Sequence, residues 1–190
     1  MKISGIGQAT PLNQITYQQI SNHFVTDCHK LFLAISWYTG ERPEAILQMD
    51  VNHVYEDIAR RRPRDTVIYP SSNRKDKHTR EVPAHWALKL MLGAYNPPGK
   101  GFLFPSLYRG DKHLTRQAID KAFRRAVKKA GLHNKGFSLY SARRGFITHL
   151  NDQGYDIKVI QRLTGHKSIN SLARYIDVTD EQLRKAIANF

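Results

Sequence analysis

Between Ser138 and Ile176 the chain reads SLYSARRGFITHLNDQGYDIKVIQRLTGHKSINSLARYI. Arg143 and Arg144 stand side by side, Gly165-His166 follows downstream, and Tyr175 comes nine residues after that histidine. Arginine, histidine and a hydroxyl nucleophile in one polar run are the parts for chemistry on a phosphate. Two arginines can grip the non-bridging oxygens of a phosphodiester bidentately. They would neutralise the charge that builds at phosphorus in the transition state. A histidine adds a further hydrogen bond, and a lysine can protonate a departing 5′ oxygen. A tyrosine can attack phosphorus and form a covalent phosphotyrosine. This set requires neither a metal nor a cofactor, because the cations do the electrostatic work.

Charge points the same way. Lys+Arg number 30 against 16 Asp+Glu, a net charge of +14 in 190 residues. From Arg109 to Arg174 there are 15 Lys/Arg and 4 Asp/Glu, so +11 of the +14 lies in that stretch. Such asymmetry is the footprint of a polyanion-binding surface rather than a merely solvated one. Other chemistries lack their signatures: there is no P-loop, no HExxH and no Cys/His zinc spacing. The carboxylates are too scattered for a two-metal nuclease. A lone Cys28 excludes an internal disulfide. No apolar run approaches the ~18 residues of a membrane span, and the stretch MKISGIGQATPLNQ has no signal-peptide h-region. The expected setting is cytoplasmic, on DNA, with no membrane.

The elements that must position these residues are mainly helical. Residues 1–13, punctuated by Gly5, Gly7 and Pro11, read as an arm. Thr16 with Gln19 forms a capping-box pattern. Apolar residues then recur at helical spacing to Tyr38, as one helix or as two with a break at Thr26-Asp27. Gly40 ends that run, and Pro43 suits the first turn of the next helix. Arg42 therefore sits at a helix junction. Val51–Tyr55, Thr66–Tyr69 and Glu81–Pro83 are β-prone, which predicts a three-stranded antiparallel sheet. Its turns are basic: one carries Arg60–Arg64, the other Arg74, Lys75, Lys77 and His78. Helix returns at 84–95. Thr115 caps an amphipathic helix ending at Gly131, with Ile119, Phe123 and Val127 inward. Helices follow over 138–151, 157–163 and 168–175, and a terminal one over 180–189 shows Leu183, Ile187 and Phe190 on one face. The fold class is α+β, mainly helical, in one domain over 1–190.

Four boxes in order resemble the tyrosine recombinase, or phage integrase, family. Thr39-Gly40-Glu41-Arg42 resembles its first arginine box. The Ser72–Pro83 hairpin resembles the one that carries the catalytic lysine. Tyr140-Ser141-Ala142-Arg143-Arg144-Gly145 resembles the second arginine box. Leu163-Thr164-Gly165-His166 followed by Tyr175 resembles the box of the histidine and nucleophile. The resemblance covers nearly the whole chain and implies that family's catalytic-domain fold.

It further implies a site-specific recombinase that cleaves and rejoins double-stranded DNA without ATP, through a 3′-phosphotyrosyl intermediate. Arg42 and Arg143 would clamp the scissile phosphate. His166 would hydrogen-bond the phosphate or position the nucleophile, and Tyr175 would attack. Lys75 is the expected general acid, with Lys77 the alternative. A homo-oligomer on DNA, a tetramer, is implied. So is a C-terminal helix over 177–190 exchanged between protomers or packed on its own domain. The family's additional N-terminal core-binding domain is expected to be absent. Two positions depart from the pattern. Tyr140 stands where the family usually has histidine or lysine, and a phenol is a poor base near pH 7. Ala45 stands where it usually has glutamate, with Glu44 one residue early. A type IB topoisomerase shares the chemistry, and a DNA-binding protein that keeps the fold without catalysis is the rival from another class.

Overall fold

Asn13, not Thr16, opens the first helix. Its side chain accepts from the Thr16 backbone N–H, and the Thr16 hydroxyl accepts from the Asn13 N–H. This reciprocal pair is a capping box shifted three residues upstream of the one expected. The computed structural model describes residues 8–73, 78–108, 110–173, 175 and 180–188. Helix α1 (Gln14–Asn22) is followed by α2 (Asp27–Thr39), which Thr26 caps, so the apolar run is two helices broken at Thr26-Asp27. The segment read as an arm is pinned from Thr10 onward. The Thr10 N–H donates to Gly136 O and the Leu12 N–H to Ser141 O, and the Leu12 side chain is buried.

The expected three-stranded sheet is instead two separate antiparallel ladders. Strand β1 (Tyr55–Asp57) pairs with β2 (Arg62–Pro63), and β3 (Thr66–Tyr69) pairs with β4 (Arg80–Pro83). Local capping explains the difference. Asp50 accepts from the Asn52 N–H while its own N–H donates to His53 Nδ1, which folds Val51–His53 into a 3-10 turn. That side-chain bonding outcompetes the β preference of Val51. Pro63 has no N–H to extend the first ladder. Register in the second ladder places Tyr69 opposite Arg80 and Val67 opposite Val82.

Helix α3 (Pro43–Leu47) follows the junction at Gly40. Later come α4 (Trp86–Ala94), α5 (Arg116–Lys129), α6 (Ser141–Asp152), α7 (Ile157–Thr164), α8 (Ile169–Ala173) and α9 (Asp180–Ala188). Thr115 caps α5, and Ile119, Phe123 and Val127 face inward as expected. Leu103 and Phe104 plug the core beside Met49, where the Leu103 N–H donates to Met49 O. The main core joins α1, α2, α5, both ladders and the first turn of α6. A second cluster of Ile147, Ile160 and Leu172 unites α6, α7 and α8, with Tyr175 packed against it. Leu183 and Ile187 of α9 are 56% and 78% exposed, and Phe190 lies outside the described residues.

Candidate active site

Arg143 is the centre of the site. It sits in the first turn of α6, a helix held close to the α1 entry and to α2 because residue 145 is glycine. A Cβ there would lie 2.7 Å from Trp37 Cζ3 and closer still to Leu12 O. The Arg143 side chain is only 2% exposed, yet two backbone carbonyls and the Glu41 carboxylate face it. Its Nη1 donates to Gly40 O (2.6 Å) and its Nη2 to Thr164 O (3.0 Å). Both carbonyls lie at helix C-termini, where Gly40 and Gly165 adopt left-handed backbone, with φ of 63° and 64°. Two helix ends therefore turn unpaired carbonyls and the negative ends of their dipoles on one guanidinium. Burial and the charges of Arg42 and Arg80 push Arg143 down to about 9, against the pull of Glu41 and Tyr175. It stays charged at neutral pH.

Glu41 lies beneath these cations and is 1% exposed. Oε1 accepts from the Arg42 N–H (2.7 Å) and faces Arg42 Nη1 at 3.8 Å and Arg143 Nη1 at 3.6 Å. Oε2 is tightly paired with Arg80 Nη2. Arg80 also lies over the Tyr69 ring, 5.0 Å from its centroid. The Thr39 hydroxyl has one proton and contacts both Ile35 O (2.6 Å) and Tyr69 Oη (2.7 Å). A carbonyl cannot donate, so Thr39 gives its proton to Ile35 and Tyr69 donates to Thr39. Arg42, with its side chain 35% exposed, is the most open of the three arginines.

The same proton count assigns the His166 tautomer. Thr164 Oγ1 contacts Ile160 O (2.7 Å) and His166 Nδ1 (2.7 Å). Its single proton goes to the carbonyl, so Nδ1 carries a proton and donates to Thr164. Arg143 Nη2 stands 3.1 Å from Nε2 and 3.3 Å from Nδ1, and with Nδ1 protonated only Nε2 can accept from it. Burial and then the positive charges of Arg143, Arg42 and Arg80 push His166 down to about 3, so the ring is neutral near pH 7. The Tyr175 ring lies 5.5 Å from the His166 ring, centroid to centroid, and the Arg144 guanidinium stands 5.4 Å over the phenol.

The structure thus brings Arg42, Arg143, His166 and Tyr175 together. Tyr140 lies at the head of α6 with the Arg116 guanidinium 5.5 Å over its ring. Among the described residues no contact joins it to His166 or Tyr175. Lys75 and Lys77 lie outside the described residues. Glu44 pairs with Arg116 at 3.4 Å, not with Arg42. Sequence reasoning missed Glu41 and Arg80 as site residues. One signal was available for Arg80: it shares the inward register of β4 with Val82, a charged residue on the buried face of a strand. Beside His166 opens a basic cleft of about 600 Å³, lined by Thr79, Arg80, Lys158, Arg162 and Lys167 among others.

The model of the family described as "Phage integrase family" matches residues 12–182. The chain belongs to the phage integrase family. Among curated proteins it is similar to tyrosine recombinase XerD of Corynebacterium glutamicum, at 33% identity over 43% of this chain and 30% of that protein. It is similar also to XerD of Brucella suis, at 31% identity over 46% of this chain and 28% of that protein. The matched segments thus take in less than a third of these two relatives. Among solved structures, XerA recombinase aligns with a TM-score of 0.73 at 20% identity, over 96% of this chain and 65% of that one. XerH site-specific recombinase bound to its difH substrate aligns at 0.70 with 19% identity, over 97% and 56%. The Tn1549 transposon integrase in complex with a circular intermediate DNA aligns at 0.74 with 16% identity, over 100% and 68%. At these identities the structural likeness establishes the fold of this phage integrase family member.

Proposed function

We propose that the chain is the catalytic domain of a site-specific DNA recombinase, acting through a 3′-phosphotyrosyl intermediate. The observation that carries this reading is the gathering of Arg143, Arg42, His166 and Tyr175 around one point, with a basic cleft opening beside His166. Arg42 and Arg143 grip the scissile phosphate and offset the charge developing at phosphorus. His166 is neutral, so it orders the arginine and the nucleophile without adding charge. Tyr175 attacks phosphorus as its phenolic proton passes to solvent, the P–O5′ bond breaks, and a lysine of the β3–β4 hairpin, Lys75 or Lys77, gives its proton to the departing 5′ oxygen. Rejoining runs the steps in reverse with a 5′ hydroxyl from a partner strand. The phosphodiester energy is kept in the protein–DNA bond, so no nucleotide is consumed. Recombination of two duplexes calls for a homo-oligomer on DNA, which we take as a tetramer.

The test uses a pool of nicked suicide duplexes with randomised arms, incubated with the protein and run on a denaturing gel. Wild type should yield a covalent adduct, and Tyr175→Phe should abolish it while DNA retention stays within about threefold. An adduct that survives Tyr175→Phe would name a different nucleophile. No adduct from any duplex in the pool would leave a DNA-binding protein of the same fold. Relaxation of supercoiled plasmid without a sequence requirement would instead indicate a topoisomerase-like activity.

A further inference from the structure

We infer that Glu41 is a positioning residue for the phosphate-binding arginines: its buried carboxylate sets the orientation of Arg143 and Arg42 before DNA arrives. The inference rests on the recombinase reading above and concerns a residue which that reading leaves without a role.

Both carboxylate oxygens of Glu41 are engaged from different directions. Oε2 takes Arg80 of β4, while Oε1 takes the Arg42 N–H and lies between Arg42 Nη1 and Arg143 Nη1. The preceding residue adds a second hold on the same nitrogen, since Gly40 O accepts from Arg143 Nη1. One turn between α2 and α3 therefore grips Arg143 by a carbonyl and a carboxylate and delivers Arg42 as its next residue. Guanidiniums this close repel one another, and each has its own hydration to regain. A carboxylate at their centre offsets that repulsion, and among the described residues three arginines share that one carboxylate, a setting that suits a phosphodiester. A buried ionic cluster is seldom kept for stability alone, because apolar residues of similar volume serve as well or better. Its use here is geometric. An arginine fork must meet the phosphate oxygens in a fixed plane, and a misplacement of about 1 Å costs roughly 100-fold in rate.

Two measurements test this. The first needs no DNA: ¹⁵N NMR of the arginine guanidiniums in wild type, Glu41→Gln and Glu41→Asp. Restricted rotation should give separate Nη signals for Arg143 in wild type, averaged in E41Q and partly restored in E41D. The second is single-turnover cleavage of the nicked duplex pool with filter retention of the same duplexes. E41Q should cleave about 100-fold more slowly with retention within about threefold of wild type, and E41D should recover at least about tenfold. The charge-compensated pair E41Q/R80M should remain slow. Where E41Q does not fold, that pair carries both measurements. Unchanged Arg143 signals in E41Q overturn the inference, as do cleavage and retention falling in proportion, or normal cleavage in E41Q/R80M. If wild type forms no adduct, the recombinase reading fails, and the NMR outcome still decides whether Glu41 holds the arginines.

Discussion

At the scale of single residues, the neutral histidine has a consequence for acid stability. His166 is held down to about 3 by burial and by Arg143, Arg42 and Arg80, whereas in the unfolded chain it titrates near 6.5. Between these values the unfolded state binds the extra proton, so stability rises with pH and is lost as pH falls. The urea midpoint of wild type should therefore drop from pH 7 to pH 4.5 more than that of His166→Asn. Equal drops would mean that the folded protein accommodates the imidazolium. Thr164→Val tests the tautomer. It removes the acceptor of the Nδ1 proton in a buried place, at a cost of about 1–3 kcal/mol. The ¹⁵N shifts of His166 should then move away from a protonated Nδ1. Arg143, His166 and Tyr175 were legible in the sequence because spacing within one stretch marks them. Glu41 was not, because only the fold brings Arg80 and Arg143 to it from other segments.

At the scale of elements, function depends on how closely α6 approaches α2. Gly145 permits that approach, since a methyl group there meets Trp37 and the Leu12 carbonyl. Gly145→Ala should lower stability by about 1–3 kcal/mol, the usual cost of overpacking. It should also cut adduct formation, because Arg143 rides on the same helix. Gly40→Ala combines two effects. Its φ of 63° is left-handed, which costs a residue with a Cβ about 1–2 kcal/mol. A Cβ there also lies 3.0 Å from Phe146 Cε1 and closer still to Cδ1. Since Gly40 O holds Arg143, this variant should lose cleavage beyond its loss of folded protein, as activity per folded molecule would show. The helices were legible because 3.6-residue periodicity and cap residues are local signals. The three-stranded sheet was misread because Asp50 bonds its own backbone neighbours, and no β-propensity of Val51 reveals that competition.

At the scale of the whole molecule, the recombinase reading asks which basic surface would meet DNA. Two are candidates. The cleft beside His166 carries Lys158, Arg162 and Lys167. A groove of about 740 Å³ between α5 and the α1–α2 turn carries Arg125, Lys128 and Lys129 beside Phe24 and Val25. The groove lies at the N-terminal end of α2 and the site at its C-terminal end, and α2 has 13 residues. At 1.5 Å per residue, about 20 Å separates them. The charge on α5 is therefore too distant to share a phosphate contact at Arg143, whereas the cleft opens beside His166, which touches Arg143. Each phosphate a protein neutralises releases counterions and steepens the fall of log K with log salt by about 0.9. Replacing Lys158, Arg162 or Lys167 singly with Gln should weaken DNA retention across all sequences and reduce that slope by about 1 each. Lys128→Gln and Lys129→Gln should leave the slope unchanged at the cleavage site. If instead the α5 variants flatten the slope and the cleft variants do not, the duplex lies on the opposite end of α2, and Arg143 cannot be the residue that holds its phosphate.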